Sequence, residues 1–411
     1  MAGGLSQLVA YGPQDVFLTG NPEITYFKVV WRRYTNFAIE SIQQSVNGSV
    51  GFGNKVHTIL SRNGDLVTDV IVEITMKKSA PGATTFFAAE ALLSEVELEI
   101  GGQRIDKHFA DWYRVHDSLF RQNEHASAYK RMVDWMGTEP AGHIKRFYVP
   151  LQFFFCGSPG LALPLVALQY HEVKIHFTLA SSVAGCSTSN TDLTFDVWAD
   201  YVFLDTAERT RFVEQPHEYL IEQLQFTGSE TIAPSATAQT SQNIRLNLNH
   251  PVKFLAWVLK GSAHGLYTTA IPTDVANVQS FNESLAPLFK AKLQLNGQDR
   301  FAERKGSYFN KVQPYQALKS EAPAGVYLYS FALRPDQHQP SGTCNFSRID
   351  NAVLSLTAKQ MSVTDDVAAN LLGESASYAR GTALTTLNVY AKNYNVLRIL
   401  SGMGGMASAA A

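Results

Sequence analysis

Ile39-Glu40-Ser41-Ile42-Gln43 returns as Ile221-Glu222-Gln223-Leu224-Gln225, and in both places apolar and polar residues alternate with the period of a half-buried strand. Leu98-Glu99-Ile100-Gly101-Gly102-Gln103 returns as Leu293-Gln294-Leu295-Asn296-Gly297-Gln298, each an alternating strand that runs into a glycine turn. A third pair is Val197-Trp198-Ala199 against Val389-Tyr390-Ala391. The three pairs keep the same order at nearly constant offset. That pattern describes two similar domains laid end to end, not a short-period solenoid.

Length and composition agree. The 411 residues suffice for two domains of roughly 200 residues, a size at which an all-β sandwich buries a full core. Charged residues make up 17% of the chain, below the roughly 25% of an average soluble protein. Much of the polar surface is then Ser, Thr, Asn and Gln, which are easier to bury at a protein contact than Lys or Glu. The formal net charge is −2, and the basic clusters are only pairs such as Arg32-Arg33 and Lys77-Lys78. A nucleic-acid groove needs a basic stripe, so direct nucleic-acid binding is not expected. Cys156, Cys186 and Cys344 are odd in number and spread over both halves, which argues for small buried thiols against a secreted disulfide framework. Met1 to Val16 lacks a signal-peptide pattern, and Phe153 to Leu168 is broken by Gly157, Pro159, Gly160 and Pro164, so membrane insertion is not expected.

Residues 1–26 form an arm with turn chemistry at Gly12-Pro13 and Thr19-Gly20-Asn21-Pro22, and Ser401 to Ala411 is a Gly- and Ala-rich tail expected to be flexible. Between them the dominant period is two. Candidate strands are 37–46, 55–60, 66–76, 94–100, 145–155, 172–179 and 193–204 in the first half. In the second they are 218–227, 243–248, 252–259, 288–295, 326–333, 352–358 and 384–397. Many short strands with Gly, Pro and Asn punctuation indicate a sandwich or jelly roll in each half. One segment is clearly helical: Phe109, Trp112, Tyr113, His116, Leu119 and Phe120 recur at three- and four-residue spacing. Arg209 to Pro216 reads as the linker, and Gly261 to Pro287 is a polar connection long enough to suggest a functional loop.

The residue patterns that catalysis on such a fold requires do not occur in the sequence. A jelly-roll oxygenase or cupin needs a His with a second His or a carboxylate two positions on, and none of the eleven histidines has one. His171 and His176 are one residue too far apart for a helical zinc motif and point to opposite faces of a strand. Glu95, Glu97 and Glu99 line one strand face, a cation site or intersubunit contact in one reading and a solvated face in the plainer one. Gly51-Phe52-Gly53 and Gly402 to Gly405 read as turns. No metal, no cofactor and no enzymatic activity are expected. Asn47, Asn282 and Asn345 begin Asn-x-Ser sequons.

Gly12 to Phe37, with Leu18-Thr19-Gly20-Asn21-Pro22-Glu23-Ile24-Thr25-Tyr26-Phe27-Lys28 and Arg32-Arg33-Tyr34-Thr35-Asn36-Phe37, resembles the opening of the major capsid proteins of nucleocytoplasmic large DNA viruses. Gly101 to Lys107, Pro159 to Leu165, Leu295 to Phe301 and Pro340 to Asp350 are all similar to the chlorella-virus (phycodnavirus) members. The resemblance implies an all-β fold of two tandem eight-stranded jelly rolls, a double jelly roll, with a short helical insertion in the first. It divides the chain into an arm (1–26), a first jelly roll (27–212) and a second (213–411). It also implies a structural protein of the virion's outer shell, made and assembled in host cytoplasm. Homotrimeric, pseudo-hexagonal capsomers would tile an icosahedral shell, contacting neighbouring capsomers and minor capsid proteins beneath. Since those relatives carry glycans, the resemblance points to an outward-facing 261–287 loop with a glycan on Asn282 or, second, on Asn277. A glycan-binding or adhesin-type jelly roll is the alternative of a different class, and a jelly-roll enzyme the weaker rival.

Overall fold

A computed structural model describes residues 3–23, 31–79, 89–120, 123–134, 142–183, 186–232, 240–261, 288–320, 322, 325–358 and 384–407. Met1–Phe37 form one unit and Ala38–Ala411 another.

Among the described residues, from Phe37 onward, sixteen principal strands build four sheets. The first eight are β1 (Phe37–Gln44), β2 (Lys55–Ile59), β3 (Leu66–Lys77), β4 (Leu93–Ile100), β5 (Gln103–Phe109), β6 (Ile144–Pro150), β7 (Val173–Leu179) and β8 (Thr194–Leu204). The second eight are β9 (His217–Thr231), β10 (Thr240–Arg245), β11 (Pro251–Gly261), β12 (Leu288–Leu295), β13 (Gln298–Asp299), β14 (Val326–Ser330), β15 (Ala352–Ala358) and β16 (Leu384–Leu400). Sheet I has the order β1-β8-β3-β6 and sheet II the order β2-β7-β4-β5; sheet III is β9-β16-β11-β14 and sheet IV β10-β15-β12-β13. Adding eight to each label of the first pair of sheets gives the second pair. The echoes fall at matching places: Leu98 on β4 faces Ile175 on β7, and Leu293 on β12 faces Leu354 on β15. The first jelly roll is thus repeated strand for strand in the second.

Alternation explains each core. Val70, Val72, Ile74 and Val197 point inward from sheet I to meet Val96, Leu98 and Ile175 of sheet II. In the second half Leu255, Trp257, Leu259 and Val389 of sheet III meet Leu293, Leu354 and Leu356 of sheet IV. Each fully buried Leu or Val contributes about 1.5–3 kcal/mol.

Several sequence expectations are corrected. The described part of the arm is two short helices, α1 (Gly3–Val9) and α2 (Pro13–Thr19), the latter opened by Pro13 in its first turn. The helical insertion expected in the first half is present, as α3 (Ala110–Phe120) followed by α4 (Asn123–Val133). The linker is itself helical: α5 (Thr206–Glu214) starts where the Asp205 carboxylate accepts from Thr206 N, and the 212/213 division lies inside it. With no buried residue, α5 has no apolar stripe for periodicity to detect. The strand expected over 145–155 ends at Pro150, because Leu151, Phe153, Phe154 and Phe155 all enter the core through a 3₁₀ turn and do not alternate. A further helix, α6 (Gln313–Leu318), follows a π turn at Tyr308–Val312. The tail contains β17 (Met403–Met406), which pairs back on β16 through Ser401 and Gly402, both at positive φ. That is the two-residue hairpin geometry matching strand twist.

Leu98 and Leu293 occupy the same place in the two halves and are both fully buried. Leu98→Ala and Leu293→Ala are each expected to destabilise by about 3 kcal/mol through lost burial and a residual cavity. Thermal unfolding of the two variants checks this, and a surface-like loss below about 0.5 kcal/mol at either site would contradict the equivalence.

Candidate assembly surfaces

The two halves meet in an apolar seam that α3 makes with the outer face of sheet III. The stripe foreseen in the sequence divides in two. Tyr113 enters the first core, while Trp112 and Leu119, with Val115, which the stripe reading omitted, pack onto the outer face of sheet III against Phe254, Ala256, Val258, Val326, Leu328 and Tyr390. The Trp112 ring stacks 6.3 Å from Phe254 and lies 5.7 Å from Tyr390. Lys392 Nζ sits 5.8 Å above the same indole, a cation–π contact strengthened by burial.

Polar bonds fix the register of this joint. Leu224 N donates to Asp106 Oδ1 at 2.9 Å, Gln223 Nε2 to Ile105 O, and Asn388 Nδ2 to Asp111 Oδ2 at 2.9 Å. From β17, Met406 N donates to Gln103 Oε1 and Gly404 N to His171 Nδ1. Tyr170 N donates to Gly402 O, and a Cβ at Gly402 would lie 2.6 Å from the Tyr170 ring. His108 Nε2 and Asp106 Oδ2 are 2.9 Å apart, both side chains wholly buried, with the imidazole stacked on Phe153. Burial alone would push the Asp106 carboxyl up, but His108, Lys392 and the Leu224 N–H hold it below the usual range. Burial drives the His108 imidazole below its ordinary value against the opposing pull of Asp106, so at neutral pH a neutral imidazole donates to a carboxylate. Beside them Lys253 Nζ donates to Glu222 Oε1 at 2.6 Å. Burial of Glu222 is overcome by His338, Lys253 and Lys392, which take its carboxyl down to about 2.

The remaining sequence candidates resolve as follows. On sheet II, Glu95 pairs with Lys107 at 2.9 Å and Glu99 with His176 Nε2 at 3.1 Å. With Lys55, His57 and Glu97 they line a shallow open groove; among the described residues no three groups are placed to hold a metal ion. His171 and His176 are not brought together, since one bonds β17 and the other Glu99. The three cysteines are free, and burial pushes Cys186 up to about 12, which leaves no thiolate at neutral pH. Asn345 caps a 3₁₀ turn by accepting from Ser347 N, and Asn47 is exposed on a two-residue strand. Asn277 and Asn282 lie outside the described residues, as does most of the 261–287 loop.

Two surface features stand out. Within the arm, α1 and α2 bury no residue, and Leu8 and Phe17 are 78% and 89% exposed. In the second half, three connections leave from one pole. Thr231, Gly261 and Leu384 end or begin strands side by side in sheet III, as Thr240, Leu288 and Ala358 do in sheet IV. These six residues flank the connections 232–239, 262–287 and 359–383. At the other pole lie the 246–250 and 296–297 turns, the 331–351 connection, α5 and the β16–β17 hairpin.

His108 supplies a pH test of the seam. Its folded pKa lies below the ordinary 6.5, so the unfolded chain takes up the proton first and the stability it contributes is lost as pH falls below that value. Glu90, buried under α3, runs the other way: burial pushes it up to about 7 against Arg114, so its penalty grows as pH rises through that value. His108→Gln keeps a donor and removes the titration. Between about pH 7.5 and 5.5 the parent chain is expected to lose more melting temperature than this variant, and parallel losses would show that His108 is not the titrating group.

Comparison with known proteins bears on what this seam serves. A family model described as "Major capsid protein N-terminus" matches residues 25–205, and one described as "Large eukaryotic DNA virus major capsid protein" matches residues 208–405. The chain is 62% identical to the major capsid protein of Paramecium bursaria Chlorella virus 1, with 100% of each covered. It is 44% identical to that of Pyramimonas orientalis virus, with 99% of each covered. The solved structure described as "PBCV-1 virus capsid, quasi-atomic model" superposes with a TM-score of 0.85 at 58% identity, covering 94% of this chain and 100% of that one. The Faustovirus major capsid protein, at 12% identity and a TM-score of 0.68 over 97% of this chain and 96% of that one, shares the fold. The adhesin-type reading finds no support in these comparisons, and the matched relatives are structural proteins. The chain belongs to the major capsid proteins of large eukaryotic DNA viruses.

Proposed function

We propose that three copies of this capsid protein close into a ring in which six jelly rolls make a near-hexagonal block, and that such blocks tile an icosahedral shell. The observation that carries the reading is the strand-for-strand repetition of β1–β8 in β9–β16. A block with six similar sides covers a flat facet by repeating one set of lateral contacts, and a cyclic trimer closes while leaving those sides free. The arm comprises residues 1–26, the first jelly roll 27–212 and the second 213–411. The rigid seam under α3 serves to hold two jelly rolls at one fixed angle in each copy.

The gathering of 232–239, 262–287 and 359–383 at one pole supports an outward face there and an inward face at the α5 pole. The arm, whose helices bury nothing of their own, makes its contacts with neighbouring capsomers and with minor capsid proteins beneath the shell, in particles assembled in host cytoplasm. Asn282, and second Asn277, carries a glycan; the support is the sequon at Asn282 and the polar composition of its loop.

Light scattering on the purified chain is expected to give three times the chain mass of 45.3 kDa, and a monomer at all concentrations would end the capsomer reading. Deleting residues 1–26 is expected to leave that mass per particle trimeric and to impair shell assembly, whereas loss of the trimer would assign the arm a different role. Peptide mass spectrometry of virion-derived protein is expected to find the 261–287 peptide modified at Asn282, and full recovery of the bare peptide would remove the glycan.

A further inference from the structure

Sheets I and III can be compared position by position because their ladders match. On β3 and β8, Asp69 faces Asp200, Ile71 faces Trp198 and Glu73 faces Asp196. On β11 and β16, Phe254 faces Lys392, Ala256 faces Tyr390 and Val258 faces Asn388. The third strand adds Tyr148 opposite Glu73 in one sheet and Val326 opposite Val258 in the other. All of these point away from the cores, since the residues between them, such as Val70, Val72, Leu255 and Trp257, point inward.

The two patches meet different fates. In sheet III, Phe254, Ala256, Val258, Val326 and Tyr390 are buried beneath α3 of the other half. In sheet I the matching positions are open: Ile71 and Trp198 are half-buried, Tyr148 is 37% exposed and Asp69 is exposed. Asp69 and Asp200 stand directly opposite one another, an arrangement that destabilises a sheet unless a cation meets it. Burial, with Asp200 adding to it, raises the Asp69 carboxyl.

The second half carries a counterpart of α3. It lies between β13 and β14, as α3 lies between β5 and β6. Phe309 enters the second core from it, as Tyr113 enters the first. Lys311, Val312, Tyr315, Gln316 and Lys319 are all exposed and recur at the spacing of one helical face. Val312 and Tyr315 give this face two large exposed side chains, 39% and 73% exposed, with Tyr315 at the place of Leu119 when Phe309 is set on Tyr113.

We infer that residues 308–319 of one copy dock on the open outer face of sheet I of a second copy, repeating between chains the contact that α3 makes within one. Tyr315 and Val312 cover Trp198, Ile71 and Tyr148, while Lys311 and Lys319 meet Asp69 and Asp200. Each copy then offers one helical face and one open patch, a heterologous contact that closes at three. The inference rests on the trimer reading above and names the surfaces that build it.

The test uses the full chain. Tyr315→Glu and Asp200→Lys are each expected to raise the trimer dissociation constant roughly tenfold or more, read by light scattering across a dilution series, with the circular dichroism of each chain unchanged. Asp200→Lys combined with Lys311→Glu is expected to recover the trimer, a rescue that a merely structural role for Asp200 would not give. Carbodiimide coupling of the parent trimer is expected to join Lys311 or Lys319 to Asp69 or Asp200 between chains, identified by peptide mass spectrometry. A parent trimer that persists in both single variants, with no such cross-link, overturns the inference alone; a parent chain that is monomeric throughout overturns the trimer reading with it.

Discussion

Burial of Trp112, Val115 and Leu119 against the outer face of sheet III is the contact on which the rest of the larger unit depends. A jelly roll satisfies itself: its two sheets cover one another's inner faces, and its outer faces can be left to water. Two such domains on a nine-residue helical linker would then be free to swivel. What prevents this is a helix that belongs to one domain by its backbone and by Tyr113, and to the other by its opposite face. Each of the three side chains contributes about 1.5–3 kcal/mol when fully buried, which is enough to make one relative orientation dominate.

The polar groups around that contact give it a single register. Asp106, His108, Glu222, Lys253 and Lys392 are mostly withdrawn from water, and each is met by a bond or an opposite charge. Buried pairs of this kind add little net stability compared with apolar replacements, but breaking one is costly because it strands a charge. They therefore penalise a slipped seam more than they reward a correct one. The β17 hairpin adds to this, threading the end of the chain back to Gln103 and His171 of the first half.

A rigid pair of like domains suits a shell. The facet of a capsid is extended by one contact repeated many times, so an angular error in the building block would accumulate across it. Within one chain the covered face of sheet III is apolar, as befits a permanent contact, whereas the matching open face of sheet I is acidic and only partly apolar.

The sequence by itself determined the period-two strands, the duplication and the family. Alternation is a local property, and the echoes at Ile39, Leu98 and Val197 fall on β1, β4 and β8 and return on β9, β12 and β16. It also showed the apolar stripe of α3, because that helix is buried on two sides. The α5 linker and the short α1, α2 and α6 were not legible, since helices with few or no buried residues leave no periodic trace. Nor could sequence say that Trp112 and Tyr113, adjacent in the chain, enter different cores. Asp69 and Asp200 are far apart along the chain, and only the antiparallel ladder sets them face to face. Burial and cross-strand opposition arise from tertiary packing, and no local pattern encodes them.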